Sequence, residues 1–273
     1  NTSAPLLTRG TISNYSRAIG FQDGDRIIVR ASGGQQAVFF GQLSGSAPDG
    51  FRLWSTTYEG KDADKVAVYH QAKELPNPVE RLRTMAACGS QMFSYPNHVA
   101  GGLGDKHAQR FTSLFYECDE GTLDEQRAKI AALPFTPAAV VYSGGKSLHV
   151  YLRLGQAVNA QDWKRLNRKL AIVMDSDPAI CTYARAMRLP GVPRRKNDGL
   201  YEQTLENVSE AKYTATELES WLDEGGRFPY GLSDERWRRW GAEQRKRKND
   251  PDHEWVNVLA IPEHELTPHR QAL

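Results

Sequence analysis

A chain of 273 residues, 40% hydrophobic and 25% charged, has the make-up of an ordinary water-soluble globular protein, with length for one large core or two modest ones. No apolar run approaches the roughly 20 residues that a membrane-spanning helix needs, and residues 1–5 show no basic stretch leading into an apolar one, so neither a membrane protein nor a signal peptide is expected. The net charge of +2 gives no whole-chain bias towards nucleic acid, and three scattered cysteines (Cys88, Cys118, Cys181) argue against a disulfide framework or a cysteine zinc site, which favours a cytoplasmic protein.

In chain order, residues 26–30 and 38–41 are short strand candidates around Gly33 and Gly34, residues 76–87 open with turn signals and continue as a helix, and residues 98–106 are glycine-rich and read as a loop. Residues 112–119 alternate as a strand, with Leu114, Tyr116 and Cys118 on one face and Phe115, Glu117 and Asp119 on the other. Thr122 and Glu125 form a capping-box pattern that opens a helix to about Leu133, stopped by Pro134 and Pro137. A short apolar strand is expected over 138–142, a turn over 143–146, and a strand over 148–154 whose His149, Tyr151 and Arg153 oppose Leu148, Val150, Leu152 and Leu154. Asn159 caps a second helix carrying Trp163, Leu166, Leu170 and Val173, and a last strand is expected within 185–189 or near 201–205. The order βαββαβ is that of ferredoxin-like and RNA-recognition-type (RRM-like) folds, an α+β class whose sheet has one face covered by helices and one open. From about residue 211 the chain reads as a basic helical extension, with helices over 216–223 and 233–248 and a cluster of arginines and lysines around Trp237 and Trp240.

Glu117 and Asp119 lie two apart on a strand and share a face. At about 4 Å two carboxylates repel by roughly 4 kcal/mol at an effective dielectric near 20. A proton, a basic partner or a hard divalent cation offsets that cost, magnesium or manganese before zinc. The alternative is a solvated face, made less attractive by the apolar Leu114-Phe115-Tyr116 beside the acids. Gly145-Lys146-Ser147 lacks the glycine that a Walker A loop needs, because Val140 stands there inside a strand. The turn still offers backbone N–H groups, Lys146 and Ser147 beside His149, a set suited to polyphosphate; the plainer reading is a glycine hairpin with a core histidine. A serine hydrolase is disfavoured, since Ser147 and His149 are read as lying on opposite faces of the pleat or at a turn, and no nucleophile elbow exists. Asp175 and Asp177 end the second helix, where acids oppose the negative end of the helix dipole. Arg185 and Arg188, followed by Arg194-Arg195-Lys196, supply forks for phosphate oxygens or simply a basic surface.

Glu117-Cys-Asp119, then Ser147-Leu-His149, then Asp177 ahead of Arg188-Leu-Pro-Gly191, resembles the motif order of archaeo-eukaryotic primases of the prim-pol type found on plasmids and phages. The resemblance spans about residues 110–205. The segment after Asp177-Pro178 departs from it in reading Cys181-Thr182-Tyr183, and Asp175 rivals Asp177 as third acid. It implies a catalytic domain over 1–210, divided into an N-terminal module to about 110 and an RRM-like palm over 111–210, with the helical extension over 211–273. It also implies a DNA-dependent primase-polymerase that joins nucleoside triphosphates on a single-stranded DNA template, with a replicative helicase as a further partner. Glu117, Asp119 and Asp177 would hold two Mg2+ or Mn2+ ions. Lys146, Ser147, His149, Arg185 and Arg188 would bind nucleotide. Trp237 and Trp240 would either grip the template or, as is favoured, pack into the core. The competing expectation is a non-catalytic replication-initiator or nucleic-acid-binding module on the same fold; a metal-dependent nuclease would share the acids but has less use for Lys146 and Ser147.

Overall fold

The computed structural model describes residues 10–32, 38–47, 49–56, 71–99, 104–196, 199–250 and 252–266. Expectations for Gly33 and Gly34, and for residues 100–103 of the glycine-rich stretch, lie outside them. The N-terminal half runs α1 (Thr11–Ala18), β1 (Arg26–Ser32), β2 (Val38–Leu43), β3 (Phe51–Thr56), β4 (Gln71–Glu74), α2 (Pro78–Ala87), β5 (Gln91–Ser94) and β6 (His98–Val99). The middle follows as β7 (Ala108–Cys118), α3 (Leu123–Ala131), β8 (Ala139–Tyr142), β9 (Leu148–Val158) and α4 (Ala160–Val173). Then come β10 (Met187–Arg188), β11 (Arg194–Lys196), β12 (Gly199–Tyr201), β13 (Thr204–Val208), α5 (Ala215–Leu222) and α6 (Asp234–Asn249). Among the described residues no helix is long and apolar enough to cross a membrane.

The middle elements form where their chemistry places them. Thr122 accepts from the Glu125 amide while the Glu125 carboxylate takes the Thr122 amide, the reciprocal cap that starts α3. Asn159 accepts from the Asp162 amide and starts α4, which buries Trp163, Leu166 and Leu170 against β7. β7 and β8 lie on either side of β9, antiparallel to it, so the first βαβ unit is split as expected.

The rest of the sheet departs from that pattern. Its order is β13-β8-β9-β7-β6, so the last strand pairs with β8, whereas the ferredoxin-like arrangement puts it beside the first strand. Of the two expected positions for it, 201–205 is near β13, and β10 instead completes the other sheet, of order β10-β5-β1-β2-β3-β4. The chain thus reaches β13 only after passing through the second sheet. The outer edge of β7 is covered by side chains. Asn97 accepts from the amides of Thr112 and Ser113, Asn167 from that of Phe115, Ser176 from that of Glu117, and the Trp163 indole donates to the Ser113 carbonyl.

The expected open face is also filled. Tyr15 of α1 meets Tyr151 edge-on at 5.4 Å and hydrogen-bonds Ser94 of β5 at 3.3 Å, and Arg153 donates to the Arg17 carbonyl. Leu114, Phe115 and Tyr116 are all fully buried, so burial does not alternate along β7. One hydrophobic cluster runs from Ile12 to Val258 through both sheets. At the strand ends on that face lie half-buried Glu117 and the buried polar side chains of Ser147 and His149, which line a cavity.

Candidate active site

Glu117 sits at the end of β7 and is held from two sides. Its Oε1 accepts a hydrogen bond from the Ser147 hydroxyl at 3.0 Å and lies 3.5 Å from His149 Nε2. The register pairs Glu117 with His149 directly across β7 and β9. Of the two expected placings, opposite faces of the pleat or at a turn, the second holds: Ser147 ends the turn just ahead of β9, and its hydroxyl and His149 Nε2 approach the same Glu117 oxygen. Burial alone would raise the Glu117 carboxyl above its usual 4.5. Hydrogen bonding to His149, that residue's charge, the Ser147 hydroxyl and the nearby Arg185 guanidinium outweigh it and hold the group at about 2.

These residues floor a cavity of about 280 Å³. The turn of Ser143, Gly145 and Lys146 forms one wall, and Arg188 of β10 with Arg194 and Lys196 of β11 forms the other. The glycines are there for close approach: Gly144 has φ of 71°, and a Cβ on it would stand 3.0 Å from the Tyr201 carbonyl oxygen. A Cβ on Gly145 would stand 3.1 Å from Arg194 Nη1. Burial, then repulsion from Arg194, lowers the Arg188 guanidinium from 12.5 to about 10 against the pull of Glu117. It remains charged at neutral pH, lies over the Phe93 ring at 4.5 Å and donates to Gln91 Oε1. The cavity is thus cationic, with Glu117 as the carboxylate on its floor.

Asp119 opens on a second, smaller cavity of about 80 Å³ that Asp175 and Asp177 also line. Its Oδ2 has Lys146 Nζ at 3.2 Å and Lys248 Nζ of α6 at 3.6 Å. Asp175 adopts φ of 53°, and both its oxygens are taken up by α6, Oδ1 by Gln244 and Oδ2 by Arg247 at 2.5 Å. These contacts answer the unfavourable placing of an acid at the end of α4. Asp177 accepts at Oδ1 from the Ala179 amide at 2.8 Å and leaves Oδ2 without a hydrogen bond among the described residues.

Of the residues singled out from the sequence, Glu117, Lys146, Ser147, His149 and Arg188 share the first cavity, and Asp119 and Asp177 share the second. Arg185 lines neither; it acts on Glu117 by charge, and its Nε is buried without a hydrogen bond among the described residues. No three His, Cys, Asp or Glu side chains gather at metal-binding spacing among the described residues. Two positioning residues were missed. Ser176, with Oγ donating to the Glu117 carbonyl and accepting from its amide at 3.1 Å each, pins the loop of Asp175 and Asp177 to the Glu117 strand. Fully buried Gln126 donates to the Lys146 carbonyl at 2.8 Å and accepts from the Leu148 amide at 3.1 Å, clamping the turn. A serine between two aspartates reads only as a turn, whereas an uncharged residue in the capped helix next to the acids was a usable signal for Gln126. Trp237 and Trp240 stack on each other at 5.1 Å, with Trp240 buried, so the core-packing expectation holds for that residue.

No family model and no curated protein matches the sequence. Among solved structures, the AEP domain of the cyanophage S-2L primase-polymerase aligns with a TM-score of 0.55 at 19% identity, over 79% of this chain and 98% of that one. The primase RepB′ aligns with a TM-score of 0.44 at 16% identity, over 86% of this chain and 68% of that one. The RepB′ catalytic domain in complex with initiator DNA aligns with a TM-score of 0.45 at 15% identity, over 81% and 98%. The cyanophage alignment shows a shared α+β fold.

Proposed function

We propose that the chain is a nucleotidyltransferase of the primase-polymerase type, adding nucleotides to a chain directed by single-stranded DNA. The observation that carries the reading is the joint hold of Ser147 and His149 on Glu117, at the floor of a cavity walled by Lys146, Arg188 and Arg194. That cavity suits a polyanion with a reacting end near a carboxylate. The fold shared with a primase-polymerase domain, and the motif order in the sequence, support the same reading. Lys146, Ser147 and His149 would hold the triphosphate, Arg188 would fork onto its oxygens, and Arg185 would add charge behind Glu117.

Three carboxylates are hard oxygen ligands of the type that magnesium or manganese takes, but the chain spreads them over two cavities, Glu117 in one and Asp119 with Asp177 in the other, with no three gathered at metal-binding spacing among the described residues. Asp119 already draws two ammonium groups to one oxygen, and Asp177 keeps an oxygen uncommitted. Glu117, Asp119 and Asp177 would be the holders, with Asp175 committed to α6. Metal bound there would supply charge stabilisation for phosphoryl transfer and activation of an attacking hydroxyl.

The test is incubation of the protein with single-stranded template, labelled nucleotides and manganese, with and without a primer. Labelled product longer than the primer, or made without one, is expected. Cleavage of the template would make the site a nuclease, and binding without either would leave a replication-initiator module.

A further inference from the structure

The β11–β12 hairpin forms a two-stranded sheet of its own at the mouth of the cationic cavity. Its register pairs Arg194 with Tyr201 and Lys196 with Gly199. Residues directly opposite share a face, so Arg194, Lys196 and Tyr201 project together, while Arg195 and Leu200 project the other way. Arg194 and Lys196 are the members of this face that line the cavity. Tyr201 is 43% exposed, beside Leu200 at 51%. It is held over Gly199, where a Cβ would come within 2.9 Å of the ring, so glycine is what lets the ring lie there.

The charges are arranged for an anion. Glu202, the acid next to Tyr201, is bound in bidentate fashion by Arg83 at 2.9 and 2.6 Å and so does not neutralise the hairpin. The Nε of Arg194 is buried without a hydrogen bond among the described residues. Lys146, 70% exposed, extends the cationic row from the cavity to the surface. Inside the cavity the groups are cationic and polar around the single carboxylate of Glu117; at its rim Arg194 and Lys196 share a face with an exposed aromatic ring. That combination fits a strand of phosphates and unpaired bases, which every aromatic face can stack without regard to sequence.

We propose that this hairpin face seats a single-stranded nucleic acid, with Arg194 and Lys196 on its phosphates and Tyr201 stacked on a base. It rests on the nucleotidyl-transfer reading and names the surface by which that site would receive its strand. Binding of a fluorescein-labelled oligodeoxythymidylate to the full chain, followed by anisotropy over a salt series, tests it. Tyr201→Ala is expected to weaken binding about tenfold and Tyr201→Phe to leave it within about twofold. Lys196→Ala, at an exposed position that leaves the fold alone, is expected to reduce the salt slope by about 0.7. Wild-type affinity in both Tyr201→Ala and Lys196→Ala overturns the hairpin seat while leaving the enzymatic reading in place. Loss of binding to a fluorescent nucleoside triphosphate instead of the oligonucleotide overturns it in favour of a nucleotide seat. A wild-type chain that binds no oligonucleotide overturns both.

Discussion

At the scale of single residues, the carboxylates do different work. Asp119 faces the lysines of two elements, and Asp119→Ala is expected to abolish nucleotide incorporation while far-UV circular dichroism stays unchanged; full activity in that variant would remove the acid from the chemistry. His149 lies 3.5 Å from Glu117 in the cationic cavity, and under the proposed triphosphate role His149→Ala is expected to raise KM for nucleotide with little change in kcat, read from initial rates. Glu117 also makes a prediction about pH. Its folded pKa, about 2, lies below its ordinary 4.5, so the ionised form is favoured by folding. The stability this contributes is fully present above about pH 4.5 and is withdrawn as pH falls from there towards 2. In chelator-treated protein the wild-type Tm should therefore fall more steeply over that window than the Tm of Glu117→Gln; parallel curves would count against the hold of Ser147 and His149 on the carboxylate.

At the scale of elements, the parts of the site that were legible are those with a period or a cap. β7, α3, β9 and α4 announce themselves through alternation, the Thr122 box and the Asn159 cap, and the acid pair and Ser147-Leu-His149 sit at their ends. α1 lacks a side-chain cap, since its N-cap residue is Gly10 at φ of 91°. β10 has two residues, too few for any period, and β5 places Ser94 at a buried position where alternation calls for an apolar group. Arg194 and Lys196 read as a surface basic run because the sequence does not reveal that a three-residue strand sets both along the cavity wall. The clamp of α3 on the turn is testable at this scale. Gln126→Leu removes the partners of Lys146 O and Leu148 N in a buried setting, a loss of about 1–3 kcal/mol. We expect a Tm lower by several degrees and weaker nucleotide binding by isothermal titration calorimetry, whereas unchanged values would make Gln126 a spectator.

At the scale of the whole molecule, the two sheets and the C-terminal helices share one buried cluster from Ile12 to Val258. The cationic end of α6 touches Asp119, Asp175 and Glu120 through Lys248 and Arg247. The C-terminal helices are therefore part of the same core as both sheets. Trp240→Ala should lower the unfolding free energy by about 3–5 kcal/mol, read from denaturant titration. Wild-type unfolding followed by tryptophan fluorescence and by far-UV circular dichroism should coincide in a single transition. Separate transitions, or a Trp240→Ala chain as stable as wild type, would make α6 an independent appendage.

The edge of β7 has a consequence of a different kind. β6 covers only the start of that edge, and a long strand whose remaining outer amides lack a neighbouring strand invites a second copy of the chain to zip onto it. Here Asn97, Asn167 and Ser176 meet those amides in advance, each from its own position on the fold. Concentrated solutions should stay monodisperse for that reason, and damage at Asn167 would show first as clumping between copies, ahead of any loss of helix or strand.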